Sequence, residues 1–284
     1  GGMLFSAIPA YRLPREVIQK EIDALLDENI TLLCGQALGK QFTIDALFEN
    51  GFAAVFVALG AHKSLRLEIP GEDAAGVIPS IQFLKAFNFK GEMLAKGHVG
   101  VVGGGNSALD AARVAMRQKD VQSVTIYYRR TQEEMPAFEE EVEAAIQEGI
   151  KVKTLMSPTR ILAENGKLKA VEFLLNELGG VDASGRRKPV PIAGSETGIP
   201  LDTLIVAISK GSDTDCVSVA GASRIETTSS GTIRIDEATS LTNRPGVFAG
   251  GDVVTGPNTV VDAIAAGKKA AGMIERFVRG EEMR

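Results

Sequence analysis

His98-Val99-Gly100-Val101-Val102-Gly103-Gly104-Gly105-Asn106-Ser107-Ala108-Leu109 decides the reading of this chain. The apolar run over 98–102 predicts a short buried strand, and the glycines after it predict a tight turn. From Ala108 to Met116 the sequence is Ala-rich with helical spacing, and Ser123–Tyr128 alternates as a second strand. Gly103-x-Gly105-x-x-Ala108 therefore lies between a strand and a helix, the context in which this spacing cradles a dinucleotide. The first glycine permits the turn. The second lets the backbone approach a pyrophosphate, and Ala108 lets the helix pack close to the strand. Gly104 completes the turn, and the helix amides and dipole face the phosphates, with Asn106 and Ser107 as further donors. The alternative is a glycine turn with a packing role only.

The end of the second strand selects the coenzyme. An NAD site places an acid about 20 residues after the glycines to hold the ribose 2′-hydroxyl. This chain has Tyr127-Tyr128-Arg129-Arg130 instead. Two guanidinium forks suit a 2′-phosphate, so NADPH is expected, with Arg129 and Arg130 as its ligands. The competing reading is a solvated basic edge. Thr131 and Glu134 have the spacing of a capping box, and the helix they open is expected to run through Phe138–Gln147 past Pro136, with Gly149 as its stop.

Outward from this unit, helical spacing recurs over residues 15–28 and 44–48, and 53–59 reads as a buried strand closed by Gly60. Ile69-Pro70-Gly71-Glu72-Asp73 is dense in turn residues and reads as a connection between domains. Residues 150–194 alternate as a β-hairpin or meander, and 201–208 is a further buried strand. Residues 210–230 look irregular, 232–235 and 246–249 are short strands, and 258–278 is a long helix. Strand and helix alternate, so a doubly wound parallel sheet is the expected architecture.

Bulk properties narrow the function. The 284 residues carry a formal net charge of -5, which argues against nucleic acid as a partner. No apolar run is long enough for a membrane span, and a cytoplasmic location is expected. Cys34 and Cys216 stand far apart without a C-x-x-C, so no redox disulfide of that type is expected here, nor a cysteine-ligated cluster. His62 and His98 lack acid or cysteine partners at ligand spacing, so no metal site is expected. Glu139-Glu140-Glu141 reads as a solvated helix face.

Near the C-terminus, Pro245-Gly246-Val247-Phe248-Ala249-Gly250-Gly251-Asp252 runs from strand to glycine turn to acid, and Gly256-Pro257-Asn258-Thr259-Val260-Val261 opens the long helix. This resembles the C-terminal flavin motif of pyridine-nucleotide-dependent flavoproteins. Further motifs follow in order: Gly1-Gly2, Ile8-Pro9-x-Tyr11-Arg12-Leu13-Pro14, Ile69–Asp73, Gly103–Asn106, Tyr128-Arg129-Arg130 and Glu134-Met135-Pro136. Together they resemble the small (β) subunit of NADPH-dependent glutamate synthase and the electron-input part of dihydropyrimidine dehydrogenase.

The resemblance implies an α/β chain of two Rossmann-like doubly wound domains, with an NADPH domain (71–209) inserted into an FAD domain (1–70 and 210–284). It implies hydride transfer from NADPH to FAD, then electron delivery to iron–sulfur clusters or a large partner subunit. Gly251 and Asp252 are expected at the FAD ribityl chain or phosphates, and Asn258, Thr259 and Val260 at its pyrimidine edge. Gly2, Ile8, Arg12 and Leu13 are expected along the isoalloxazine, with Gly60 approaching from its strand end. Hydride passes directly between the rings, so no catalytic side chain is expected. The family's first FAD-binding βαβ unit and cysteine-rich segment are not in these residues. The chain therefore reads as a fragment with an incomplete FAD site, expected to bind FAD weakly or not at all on its own, and a catalytically silent NADP(H)-binding scaffold is the rival reading. Ser209 stands where the family has glycine.

Overall fold

The apolar run over 98–102 lies at the centre of a parallel sheet. The computed structural model describes residues 2–182, 185–208, 210–217 and 224–283; Gly1 and Ser209, both singled out above, lie outside them. In chain order the elements are α1 (Met3–Ser6), α2 (Arg15–Leu25), α3 (Ile44–Glu49), β1 (Val55–Val57), β2 (Lys63–Ser64), β3 (Val77–Pro79), α4 (Ser80–Lys90), β4 (Gly97–Val102), α5 (Asn106–Met116), β5 (Val121–Tyr127), α6 (Glu139–Gln147), β6 (Lys151–Lys153), β7 (Met156–Glu164), β8 (Lys167–Val181), β9 (Arg187–Pro191), β10 (Thr197–Pro200), β11 (Thr203–Val206), β12 (Lys210–Gly211), β13 (Val247–Ala249), α7 (Asp252–Thr255) and α8 (Val260–Val278). They form two compact units. The first joins the N-terminal residues through Asp23 to Ser64–Ser209, and the second joins Ala24–Lys63 to Lys210–Arg284.

In the first unit the sheet order is β3-β11-β4-β5-β6, every pair parallel. Strand β4 is apolar on both faces because both are covered. Helix α5 buries Ala108, Leu109, Ala111, Ala112, Val114 and Ala115 completely. Four alanines in that set let the helix lie close to the sheet, and Leu109 fills the space between; burying such a side chain contributes about 1.5–3 kcal/mol. Residues 2–23, expected with the flavin side, add to this unit: Ala7 is part of the same core and Met3 packs against it.

Of the stretch 150–194 expected as a hairpin or meander, β7, β8 and β9 are antiparallel, in a sheet of order β10-β8-β7 with β9 on the far half of β8, whereas β6 joins the parallel sheet. Tyr127 at the end of β5 stacks on Phe173 of β8 at 4.3 Å between ring centroids, tying this sheet to the parallel one.

Two expectations are corrected. The helix opened by Thr131 is one 3₁₀ turn, Gln132–Glu134, and α6 begins only at Glu139. Pro136 is the reason: it lacks an N–H and drives Met135 into an extended conformation (φ -67, ψ 128). Residues 232–235 contribute only an isolated bridge, Thr227 to Ile233, instead of a strand.

In the second unit β1 and β13 pair in parallel, with Val55 opposite Val247. They are covered by a core of Ile44, Val57, Val217, Ile225, Ile233 and Val253. Among the described residues no helix is long and apolar enough to cross a membrane.

Candidate functional site

The glycine turn sits at the C-terminal end of β4, where open parallel sheets bind ligands. Its three glycines have different reasons to be glycine. Gly103 has φ +145, and a Cβ there would lie 2.2 Å from the Ala207 carbonyl oxygen. At Gly104 a Cβ would lie 2.4 Å from the ring of Tyr128. Gly105 is constrained by neither: its φ is -95, and the nearest atom to a Cβ is Pro136 Cγ at 3.8 Å. The fold therefore forces the first two glycines, while the third leaves room beside the backbone.

That room lies at the start of α5. Gly105 is its N-cap and offers no side chain, so the helix has no side-chain cap. Eleven residues of aligned peptide dipoles end there with positive charge at the amides. Ala108 is buried behind them and Ser107 is half-buried. The carbonyl of the Asn106 side chain accepts from the Phe138 N–H at 3.0 Å, so Asn106 fastens the loop before α6 to the turn. Ala137 N–H donates to the Gly104 carbonyl at 3.2 Å, and the Tyr128 hydroxyl donates to the Glu134 carbonyl at 2.8 Å. Residues 134–138 thus form one wall of the turn.

The two arginines after β5 separate. Arg129 is exposed, whereas Arg130 is 2% exposed. Arg130 donates from Nη2 to Asp182 at 2.5 Å and from Nε to the Arg187 carbonyl at 2.7 Å. The pair expected to grip one phosphate is not brought together: in this structure only Arg129 faces solvent. The Arg129 carbonyl accepts from the buried Asn176 side chain at 3.0 Å. Asp182 and Asn176 were missed in the sequence. Asn176 left a signal, a polar residue on the buried side of an alternating strand; Asp182, in a distant turn, left none.

A charged network fixes the N-terminal segment to α5. Arg12, expected along a flavin, forks onto Asp110 at 2.9 and 3.1 Å and reaches Glu141 at 3.0 Å. Arg15 donates to the carbonyls of Leu4 and Ile8 at 2.6 and 2.7 Å, fixing half-buried Ile8 and its neighbour segment; Leu13 is also half-buried and Gly2 is exposed. Tyr11 lies with its ring centroid 4.6 Å from both the Arg113 and the Arg117 guanidinium. Burial, then the nearby Asp110 carboxylate, pushes the Tyr11 phenol up. Glu148 bonds both arginines; the Arg117 and then the Arg113 hydrogen bonds hold its carboxyl down at about 2.

In the second unit Gly60 has φ +70 and Gly251 has φ +70, conformations that only glycine adopts at little cost. Asp252 opens α7, and its carboxylate accepts from the Asn258 N–H at 3.3 Å. Thr259 caps α8, its hydroxyl accepting from Asp262 N–H at 3.2 Å. The start of that helix is exposed and apolar, with Val260 at 37%, Val261 at 74% and Ile264 at 54%. His98, at the start of β4, bonds Ser123 at 2.9 Å. Among the described residues no group of His, Cys, Asp and Glu is arranged to hold a metal.

Residues 4–267 match the pyridine nucleotide-disulphide oxidoreductase family. The β subunit of an NADP(+)-dependent formate dehydrogenase from Moorella thermoacetica is 41% identical over 98% of this chain. The small chain of the Escherichia coli NADPH glutamate synthase is 34% identical over 98% of it, in keeping with the motif resemblance. The chain spans 39% and 61% of the lengths of those relatives. Mycobacterium tuberculosis FprA, solved in complex with NADPH, superposes over 98% of this chain and 74% of its own with a TM-score of 0.77 at 18% identity, a likeness of fold.

Proposed function

The chain belongs to the pyridine nucleotide-disulphide oxidoreductase family, and we propose that within it this protein is the module that passes a hydride from NADPH to FAD. One observation carries the reading: α5 starts without a side-chain cap, behind a glycine whose neighbouring space is open, one strand from an exposed arginine.

The residues fit the coenzyme. Amides of Gly105, Asn106 and Ser107 stabilise the pyrophosphate charge, and the α5 dipole adds to them. Arg129 pairs with the 2′-phosphate, which an acid at that position would repel. Gly103, Gly104 and Ala108 keep strand, turn and helix close enough for those amides to converge.

On the second unit Gly60, Gly251, Asp252, Asn258, Thr259 and Val260 would hold FAD. The exposed apolar start of α8 suits the edge of a flat ring, and its dipole favours negative charge there. Held there, FAD would supply a hydride acceptor that can pass electrons onward. No side chain of this chain needs to act as acid, base or nucleophile. In this reading 71–209 is the NADPH domain, and a large partner subunit or an iron–sulfur acceptor takes the electrons. The relatives named as β subunit and small chain support a partner of that kind.

The test is NADPH oxidation with an artificial electron acceptor, with and without added FAD, beside a direct titration of NADP+. Turnover is expected only when FAD is added in large excess. NADP+ binding without turnover identifies a silent coenzyme-binding module, and absence of NADP+ binding overturns the reading altogether.

A further inference from the structure

Arg187 is gripped on both sides of its peptide backbone. Its N–H donates to a Glu134 carboxylate oxygen at 3.0 Å, and its carbonyl accepts from Arg130 Nε at 2.7 Å. The grip comes from residues that border the coenzyme turn, while Arg187 opens β9 in the antiparallel sheet. Arg130 also bonds Asp182, just after β8, so both arms of the β8–β9 hairpin are pinned to the end of β5 by one buried guanidinium. Glu134 is itself fixed by the capping box, accepting from Thr131 N–H at 3.3 Å and from the Thr131 hydroxyl at 3.1 Å. Its main-chain carbonyl holds the hydroxyl of the tyrosine that covers Gly104.

We infer that Arg130, Asp182 and Glu134 are positioning residues that clamp the β8–β9 hairpin against the coenzyme turn and thereby set the selectivity of Arg129 for the 2′-phosphate. This rests on the coenzyme reading above. Arg130 is suited to the task by shape: a planar fork satisfies a carboxylate and a carbonyl at once, which a lysine ammonium on a flexible stem does not reproduce. Buried and doubly bonded, it contributes through the loop it holds. The Arg129 carbonyl is held from the same sheet by Asn176, so the backbone that presents the exposed guanidinium is fixed at successive residues.

The electrostatic alternative has the opposite sign. If Asp182 were merely a carboxylate near the phosphate, removing its charge would tighten NADP+. If it acts through the clamp, removing it weakens NADP+ and spares NAD+, which has no 2′-phosphate to lose. Calorimetric titration of Asp182→Asn and Glu134→Gln with NADP+ and NAD+ distinguishes these. Each variant is expected to lose about fivefold in NADP+ affinity, near the worth of one hydrogen bond, with NAD+ within about twofold. Arg130→Lys, which keeps the charge, is expected to lose as much as Asp182→Asn. Tighter NADP+ binding in Asp182→Asn, an equal loss for both coenzymes, or no change overturns the inference. Glu134 is only partly buried, so Glu134→Gln decides the matter if Asp182→Asn fails to fold. Arg129→Ala separates the two levels. NADP+ preference that survives it overturns the phosphate reading and this inference together. Preference lost there but kept in the other variants overturns the clamp alone.

Discussion

The ring of Tyr128 covers Gly104 so closely that a Cβ on that glycine would lie 2.4 Å from it. This contact, and not a ligand, makes Gly104 a glycine. The neighbouring glycines give a graded test. Gly104→Ala must push aside a buried ring and is expected to cost about 1–3 kcal/mol of stability. Gly103→Ala meets a backbone carbonyl and carries a positive φ, and is expected to cost more. Gly105→Ala meets no protein atom closer than 3.8 Å, so only the helix-cap preference for glycine over alanine is lost, and its stability is expected to fall by no more than about 1 kcal/mol. Its NADP+ affinity is nevertheless expected to fall by about tenfold, because the methyl enters the approach to the pyrophosphate. Denaturant unfolding beside calorimetry separates these effects; an unchanged affinity in Gly105→Ala would count against the site.

Arg12 supports the segment before α2 through Asp110 and Glu141. Arg12→Ala takes a guanidinium away from a carboxylate that is 5% exposed. The expected loss is about 2–3 kcal/mol, read from denaturant unfolding of the first unit. A loss below about 0.5 kcal/mol would show that the fork is an ordinary surface pair.

The Glu148 clamp sets a pH dependence. Its carboxyl titrates near 2 in the folded chain, against an ordinary value of 4.5, because it bonds Arg117 and Arg113. A depressed folded value means that the unfolded chain takes up the proton first. The contribution is thus complete above about pH 4.5 and lost as pH falls toward 2. Glu148→Gln is expected to destabilise the protein by about 1 kcal/mol at pH 7, with the difference from the parent chain vanishing near pH 2. Thermal unfolding across that range checks it; a difference independent of pH would place the effect in packing.

What could be read from residues alone was what short-range chemistry dictates. The strand, turn and helix around Gly103–Ala108 lie within one local stretch, and their spacing contains the reason for each. Thr131 and Glu134 do form a capping box, but Pro136, a local breaker, ends its helix within a turn. Helix α4, Ser80–Lys90, carries only a weak helical periodicity, so its sequence does not announce it. Arg129 and Arg130 look alike in sequence. Their separation depends on Asp182, a residue 52 positions away that a hairpin brings back to the end of β5. No local pattern encodes that contact, so two identical side chains acquire different work from the fold.

The most direct test is a crystal structure of the chain with NADP+. The pyrophosphate is expected over the amides of Gly105–Ser107 and the 2′-phosphate on the Arg129 guanidinium, with Arg130 still bonded to Asp182. Coenzyme density away from the glycine turn, or a 2′-phosphate that Arg129 does not touch, would contradict the account.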